Sequence, residues 1–395
     1  MPFLKQVTSA PQQKKPGNKF FVTIILIGVA ALVWIWLKEK PSRSKAKSQP
    51  ESRTVAKPTK PATPFSVLVM NKTNLPSSKT NATPSSQVKT PATVPIVLAQ
   101  TNGFPGDVFV ARPVKSILEA QVALVRRGIS AGSIDGVIGS QTRAALRAFQ
   151  QSESLPITGE LDALTKTKLV LTAPPYTELA VTTNDFARLQ PLGTNWFSKA
   201  QQSRMGYETI LELVSEKVCC HPNFIKQLNP SINWTNRIPM TTLRVPNIEK
   251  IKPRSAAAFV RIRLAEKYLE AFDADTNLLA HFPCSIAQRI EKRPVGRLRV
   301  EKIAENPDYT FDPETFPESA EARQIKTKLI LSPGPNNPVG TVWIGLDRPG
   351  YGIHGTPKPE EVGRTESHGC FRLANWNAEY LVRLVSVGTP VLIEP

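Results

Sequence analysis

Histidine and cysteine are scarce, with four of each in 395 residues. Cys219 and Cys220 are neighbours, where a bridge would be strained, and with Cys284 and Cys370 they show no disulfide-framework spacing. Cys219-Cys220-His221 has no second ligand pair, which argues against zinc there. Acidic residues are nearly missing from positions 1–105: fifteen Lys or Arg stand against Glu39 and Glu51, a net of +13 out of +18 for the chain. The excess charge therefore sits in a tail and linker, suited to anionic lipid or wall polymer. With no nucleic-acid-binding signature, no nucleic-acid partner is expected. No cofactor and no metal are expected either.

One long apolar run is present. Residues 1–19 are polar and basic, read as a cytoplasmic tail, and residues 20–37, FFVTIILIGVAALVWIWL, are uncharged. The length suits a short transmembrane helix, with Trp34 and Trp36 at an interfacial belt. A signal anchor is expected rather than a cleaved signal peptide, since no small-x-small site follows. Residues 38–113 are read as a disordered Pro/Lys/Ser/Thr linker. The part from 41 to 105 has ten prolines and few large apolar residues, too little to offset the entropy of ordering it.

Residues 114–171 predict a small all-α unit. Ile117, Leu118, Gln121, Val122, Leu124 and Val125 form one helical face. Asp135-Gly136 and Ile138-Gly139 make turns, Ser140 is placed to cap a second helix, and a third is expected from Asp162 to Leu171. The run Ile134-Asp135-Gly136-Val137-Ile138-Gly139, with Thr142, Ala145, Phe149-Gln150, Leu155 and Thr158-Gly159, resembles the three-helix peptidoglycan-binding domain. Residues 193–248 suggest two helices, the second stopped by Asn229-Pro230, and a closing strand at 242–246. These pieces resemble an α+β LysM module. The usual opening strand is missing, and Met205-Gly206-Tyr207-Glu208 is its nearest substitute.

From residue 257 the pattern changes to strands: 258–264, 268–272, 278–285, 297–302, 328–331, 342–346, 352–354 and 391–394, with a helix over 374–385. A mostly β domain over 257–395 is expected. Within it, residues 351–373 hold His354, His368 and Cys370. A nucleophilic cysteine must react as thiolate, so an imidazole has to take its proton. In an extended segment His368 and Cys370 would share one face, and spacing alone favours His368 as that base. Gly369 lets a substrate approach the backbone, and the Gly369 and Cys370 amides suit an oxyanion hole. Two His and a Cys also leave open three zinc ligands, and a lone Cys a core role.

Ile353-His354-Gly355-Thr356 followed by Ser367-His368-Gly369-Cys370-Phe371-Arg372-Leu373 resembles the signature of YkuD-type L,D-transpeptidases. Arg293-Pro294-Val295-Gly296 and 333–340, PGPNNPVG, resemble the family's Pro–Gly landmarks. The resemblance implies a β-sandwich-like catalytic fold and a cysteine acyltransferase that joins peptidoglycan stem peptides by 3–3 cross-links. It implies Cys370 as nucleophile, His354 as base oriented by the Gly355 carbonyl, and His368 as oxyanion stabiliser. Tyr351, Ser367 and Arg372 become substrate-binding candidates, although Arg372 could equally support the loop. It further implies a single-pass inner-membrane protein with its catalytic domain in the periplasm, acting on stem peptides and glycan. Finally, the acidic, aromatic stretch 304–328 reads either as a solvated loop or as a lid over Cys370.

Overall fold

A computed structural model describes residues 109–235, 241–248, 252–316, 319–367 and 369–395. All of them belong to one unit, Ala62–Pro395. The expected tail, the anchor at 20–37, nearly all of the linker and His368 lie outside the described residues. Among the described residues no helix is long and apolar enough to cross a membrane.

The first segment is closed by a short antiparallel ladder, β1 (Arg112–Pro113) against β2 (Val170–Leu171), so the linker ends earlier than residue 113. Between them lie α1 (Ile117–Val125), α2 (Ser140–Ser152) and α3 (Ala163–Lys168). Ser116 and Asp162 cap α1 and α3 by accepting the Glu119 and Thr165 amides. Ser140 is not a cap: it is the first helical residue, and Gly139 holds the cap position without a side-chain bond. The third helix stops at Lys168 because 170–171 are drawn into the ladder. Buried Gln121 sets the intervening turn, donating to Asp135 Oδ1 (2.8 Å) and accepting from the Gly136 amide (2.8 Å).

The next segment opens with β3 (Tyr176–Val181) and continues through α4 (Thr183–Ala187), α5 (Trp196–Ala200), α6 (Ile210–Lys217), α7 (Pro222–Leu228) and β4 (Thr241–Pro246). β3 pairs with β4 along its whole length. The opening strand is therefore 176–181, not 205–208, and the unit begins well before residue 193. Sequence reasoning missed it because about thirty residues separate the strand from the helix it serves. Cys219-Cys220-His221 is a structural corner: His221 caps α7, and Cys220 Sγ donates to the Ile134 carbonyl at 3.1 Å.

The last segment holds β5 (Phe259–Arg263), β6 (Tyr268–Phe272), β7 (Leu278–Pro283), β8 (Gly296–Glu305), β9 (Tyr309–Phe311), α8 (Ala320–Gln324), β10 (Leu329–Leu331), β11 (Val342–Leu346), β12 (Gly352–His354), β13 (Phe371–Arg372), α9 (Asn375–Leu381) and β14 (Pro390–Glu394). Eight strands form one sheet in the order β13-β12-β11-β8-β14-β5-β6-β7. Long β8 joins its halves, pairing with β14 over 296–299 and with β11 over 300–305. The sheet edges meet again where Ser285 and Arg372 exchange backbone bonds of 2.9 and 3.0 Å. The sheet thus rolls around a core of Val260, Ile262, Leu269, Ile344, Ile353, Phe371, Leu381 and Ile393. Each such side chain contributes about 1.5–3 kcal/mol by leaving water.

The stretch 304–328 is not a plain solvated loop. Its start extends β8, and β9 and β10 pair as an antiparallel hairpin carrying α8. The helical unit is docked too. His281 on edge strand β7 accepts from the Ser130 amide (2.8 Å) and donates its own to the Gly128 carbonyl (3.0 Å). Gly128 has φ of +77°, and a Cβ there would strike the Leu279 carbonyl.

Candidate active site

Strands β12 and β13 bring the chemistry together. They pair in parallel, Ile353 opposite Phe371 and His354 opposite Arg372. Ile353 and Phe371 enter the core, so by strand alternation His354, Arg372 and Cys370 take the other face. Trp343 on β11 lies opposite His354, and their rings stack at 5.7 Å and 24°.

His354 is 6 % exposed, and its Nδ1 lies 2.6 Å from the Gly355 carbonyl, where an Nδ1–H would donate. That tautomer leaves Nε2 with a lone pair. Burial lowers the imidazole pKa to about 4, the Gly355 bond opposes the shift, and Arg372 adds to it. Cys370 is 7 % exposed, burial pushes its thiol up to about 12, and Sγ donates to the Gly350 carbonyl at 3.5 Å. Thiol and imidazole are therefore both neutral near pH 7.

The remaining candidates sort differently. Ser367 is buried, its Oγ donates to the Cys370 carbonyl at 2.5 Å, and its backbone is held by Ile286 and Gln288. In this structure it braces the loop. The Gly369 amide reaches Ser367 Oγ at 3.3 Å, so in this state it is not a free oxyanion donor. An added Cβ at Gly369 would meet nothing within 4 Å, leaving room for a close approach. Arg372 donates to the Glu366 carbonyl and to Thr365 Oγ1, the loop-supporting role. Tyr351 packs on the core under the Arg348 guanidinium at 4.7 Å. Among the described residues no His/Cys/Asp/Glu group could hold a metal.

What covers Cys370 was not legible locally. Cys370 and Trp343 share a packed cluster with Tyr309, Phe311 and Leu331 of the hairpin and with Met205 of the middle segment. Trp196 of α5 stacks on Phe311 at 4.2 Å and 15°, and its amide donates to Glu321 of α8 at 2.5 Å. Two acids of 304–328 are engaged by other partners. Asp312 pairs with Lys328 at 2.8 Å, and Glu321 holds Trp196. Trp196→Ala should loosen this cover. Losing a stacked pair worth about 1 kcal/mol shifts an opening equilibrium about fivefold, so iodoacetamide should label Cys370 about fivefold faster at pH 7. Unchanged labelling would mean that the stack does not limit access.

Sequence reasoning also missed Asn375, which is 0 % exposed and sits behind the loop of His354. Its Nδ2 donates to Glu216 of α6 (2.8 Å) and to the Pro335 carbonyl (3.1 Å). Its Oδ1 accepts from the Thr341 amide at 3.2 Å and fills the space where side chains at Gly340 or Gly355 would stand. Asn375 is the first residue of α9, three positions past the end of β13, and its partner on α6 leaves no local signal. Glu216 lines a cavity of about 340 Å³ with Asp185, Arg188, Tyr207, Lys217 and Glu379. Burial raises Glu216 to about 8, with Glu379 and Glu212 adding to the rise and the Asn375 bond opposing it. The native state therefore keeps a proton that the unfolded chain loses near pH 4. This stabilisation is full below pH 4 and is lost as pH rises through about 8. Glu216→Gln should flatten the fall in thermal midpoint between pH 5 and 9; an equally steep fall would put the titration elsewhere.

Comparison with known proteins agrees with this division. The family described as L,D-transpeptidase catalytic domain matches residues 257–393, and that described as "Putative peptidoglycan binding domain" matches 114–169. The Bacillus licheniformis protein named "Putative L,D-transpeptidase YkuD" is 41% identical over 169 residues, covering 43% of this chain and 84% of that protein. The Bacillus subtilis "Putative L,D-transpeptidase YqjB" is 38% identical over 105 residues, 25% of this chain and 51% of its own length. The Escherichia coli "Probable L,D-transpeptidase ErfK/SrfK" is 34% identical over 152 residues, 38% of this chain and 48% of its own. The chain thus spans about half the length of the last two relatives.

Proposed function

Because the chain belongs to the YkuD family of L,D-transpeptidases, we propose that it cross-links peptidoglycan stem peptides through a Cys370 acyl-enzyme. The observation that carries this reading is the shared face of Cys370 and His354, with His354 Nδ1 held at 2.6 Å from the Gly355 carbonyl. His354 Nε2 takes the Sγ proton, and Sγ attacks the carbonyl at the L-centre of the third stem residue. The bond to the terminal D-alanine breaks, its amine takes the proton from the imidazolium, and a thioester remains. The side-chain amine of a third residue on another stem then attacks the thioester and gives its proton to His354. The carbon–sulfur bond breaks, and the imidazolium returns the proton to Sγ. His368 is assigned to the oxyanion. The helical unit is assigned to holding the enzyme at the wall. The run 20–37 is assigned to a single-pass anchor that leaves the catalytic domain outside the cytoplasm.

Incubating the full chain with tetrapeptide-stem fragments and weighing the products tests this. A 3–3 dimer with released D-alanine is expected. Tripeptide alone would make the enzyme an L,D-carboxypeptidase; acylation that resolves only onto a protein amine would make it a wall-attachment enzyme. No acyl-enzyme at all would overturn the reading.

A further inference from the structure

The matched catalytic region begins at residue 257, yet the loop of its base is braced from outside that region. On α6, Glu212 and Glu216 are four residues apart and share one helical face. Asn336 donates to Glu212 (2.5 Å) and to the Gly206 carbonyl (2.8 Å); Asn375 donates to Glu216 (2.8 Å). Asn336 belongs to the turn 333–340 and Asn375 bonds to its Pro335 carbonyl, and the turn is also pinned by the Met205 amide on the Pro333 carbonyl (2.9 Å) and the Asn336 amide on the Met205 carbonyl (3.0 Å). Gly334 meets the Met205 carbonyl so closely that a side chain there would collide.

Asn375 is the link to the chemistry. With Nδ2 committed to Glu216, its amide plane is fixed and Oδ1 is seated against both Gly340 and Gly355. The Gly355 amide is held by the Val342 carbonyl at 3.1 Å. The Gly355 carbonyl, the acceptor 2.6 Å from His354 Nδ1, is thereby set from both sides. Without Glu216, Nδ2 would keep only the longer bond to the Pro335 carbonyl (3.1 Å), so the amide could shift and the wall behind Gly355 would loosen.

We propose that Glu216 is a positioning residue for His354: through Asn375 it holds Gly355, and so the middle segment completes the catalytic domain. This rests on the reading of His354 as base. It predicts a defect in catalysis that goes beyond a loss of stability, because a small misplacement of a base costs rate.

The full chain and its Glu216→Ala, Glu216→Gln and Glu216→Asp variants would be compared by kcat and KM on tetrapeptide fragments, by iodoacetamide labelling of Cys370 at pH 7, and by thermal midpoint. Glu216→Ala should lower kcat on the order of tenfold and slow labelling in step, with KM unchanged. Glu216→Gln, whose Oε1 still accepts from Asn375, should restore both. Should the Ala variant not fold, Glu216→Asp withdraws the acceptor by one methylene and should lower kcat at an unchanged midpoint. A lowered midpoint with wild-type kcat and labelling in the folded Ala or Asp variant would overturn the proposal. Equal labelling of wild type and His354→Ala would instead remove His354 as the base, a failure of the underlying reading that Glu216 variants do not produce.

Discussion

Cys370→Ala is expected to abolish the acyl-enzyme, whereas Cys284→Ala should leave it intact. Ionisation in the resting state does not separate the two thiols, since burial pushes both up to about 12. At pH 7 each would be thiolate in about one molecule in 10⁵. Their surroundings separate them. Cys284 is enclosed in the barrel core, with Sγ donating to the Ser285 carbonyl at 3.4 Å. Cys370 stands on the opposite side of the sheet with His354 and Trp343, under the β9–β10 hairpin. The Cys284 change removes one buried atom and should cost about 1 kcal/mol of stability. Intact-mass measurement after mixing with a tetrapeptide fragment reads the result directly. An adduct on the Cys370→Ala protein would place the nucleophile elsewhere.

His354→Ala is expected to lower kcat by about 10²–10⁴-fold, the range for loss of a general base, and to slow alkylation of Cys370 at neutral pH. The imidazole lowered to about 4 is neutral at pH 7 and so carries the free lone pair that a base needs. Activity should therefore persist into mildly acidic solution and fail as pH drops through about 4, where His354 becomes protonated. The same shift bears on stability. The unfolded imidazole takes a proton near pH 6.5, so the contribution is complete above that value and is lost as pH falls through about 4. His368→Ala should slow turnover more than alkylation. The reverse pattern for the two replacements would swap their roles.

Much of the catalytic domain could be read from local signals. The strands at 268–272, 342–346 and 352–354 fall where short runs rich in apolar and aromatic residues, bounded by turn residues, put them, and such runs suit strands buried on both faces. The third helix begins where expected, with Asp162 as its cap, and Asp135-Gly136 located the turn that Gln121 grips. The boundary errors share one cause. The local pattern reads residues 170–171 as helix and finds no opening strand before 205–208, because the true pairings join 112 to 171 and 176 to 246. Register between distant segments leaves no local trace.

The sequence by itself determined which atoms can react: a thiol, two imidazoles and a glycine gap within twenty residues, and a basic, proline-rich approach to them. Tertiary structure decided how His354 is braced, what covers the thiol and which segments share the work. His354 is held because β12 lies between β11 and β13 and Asn375 stands behind Gly355. Cys370 is masked because Phe311 stacks on a tryptophan more than a hundred positions earlier. These contacts come from packing, which selects partners by shape and burial rather than by proximity in the chain.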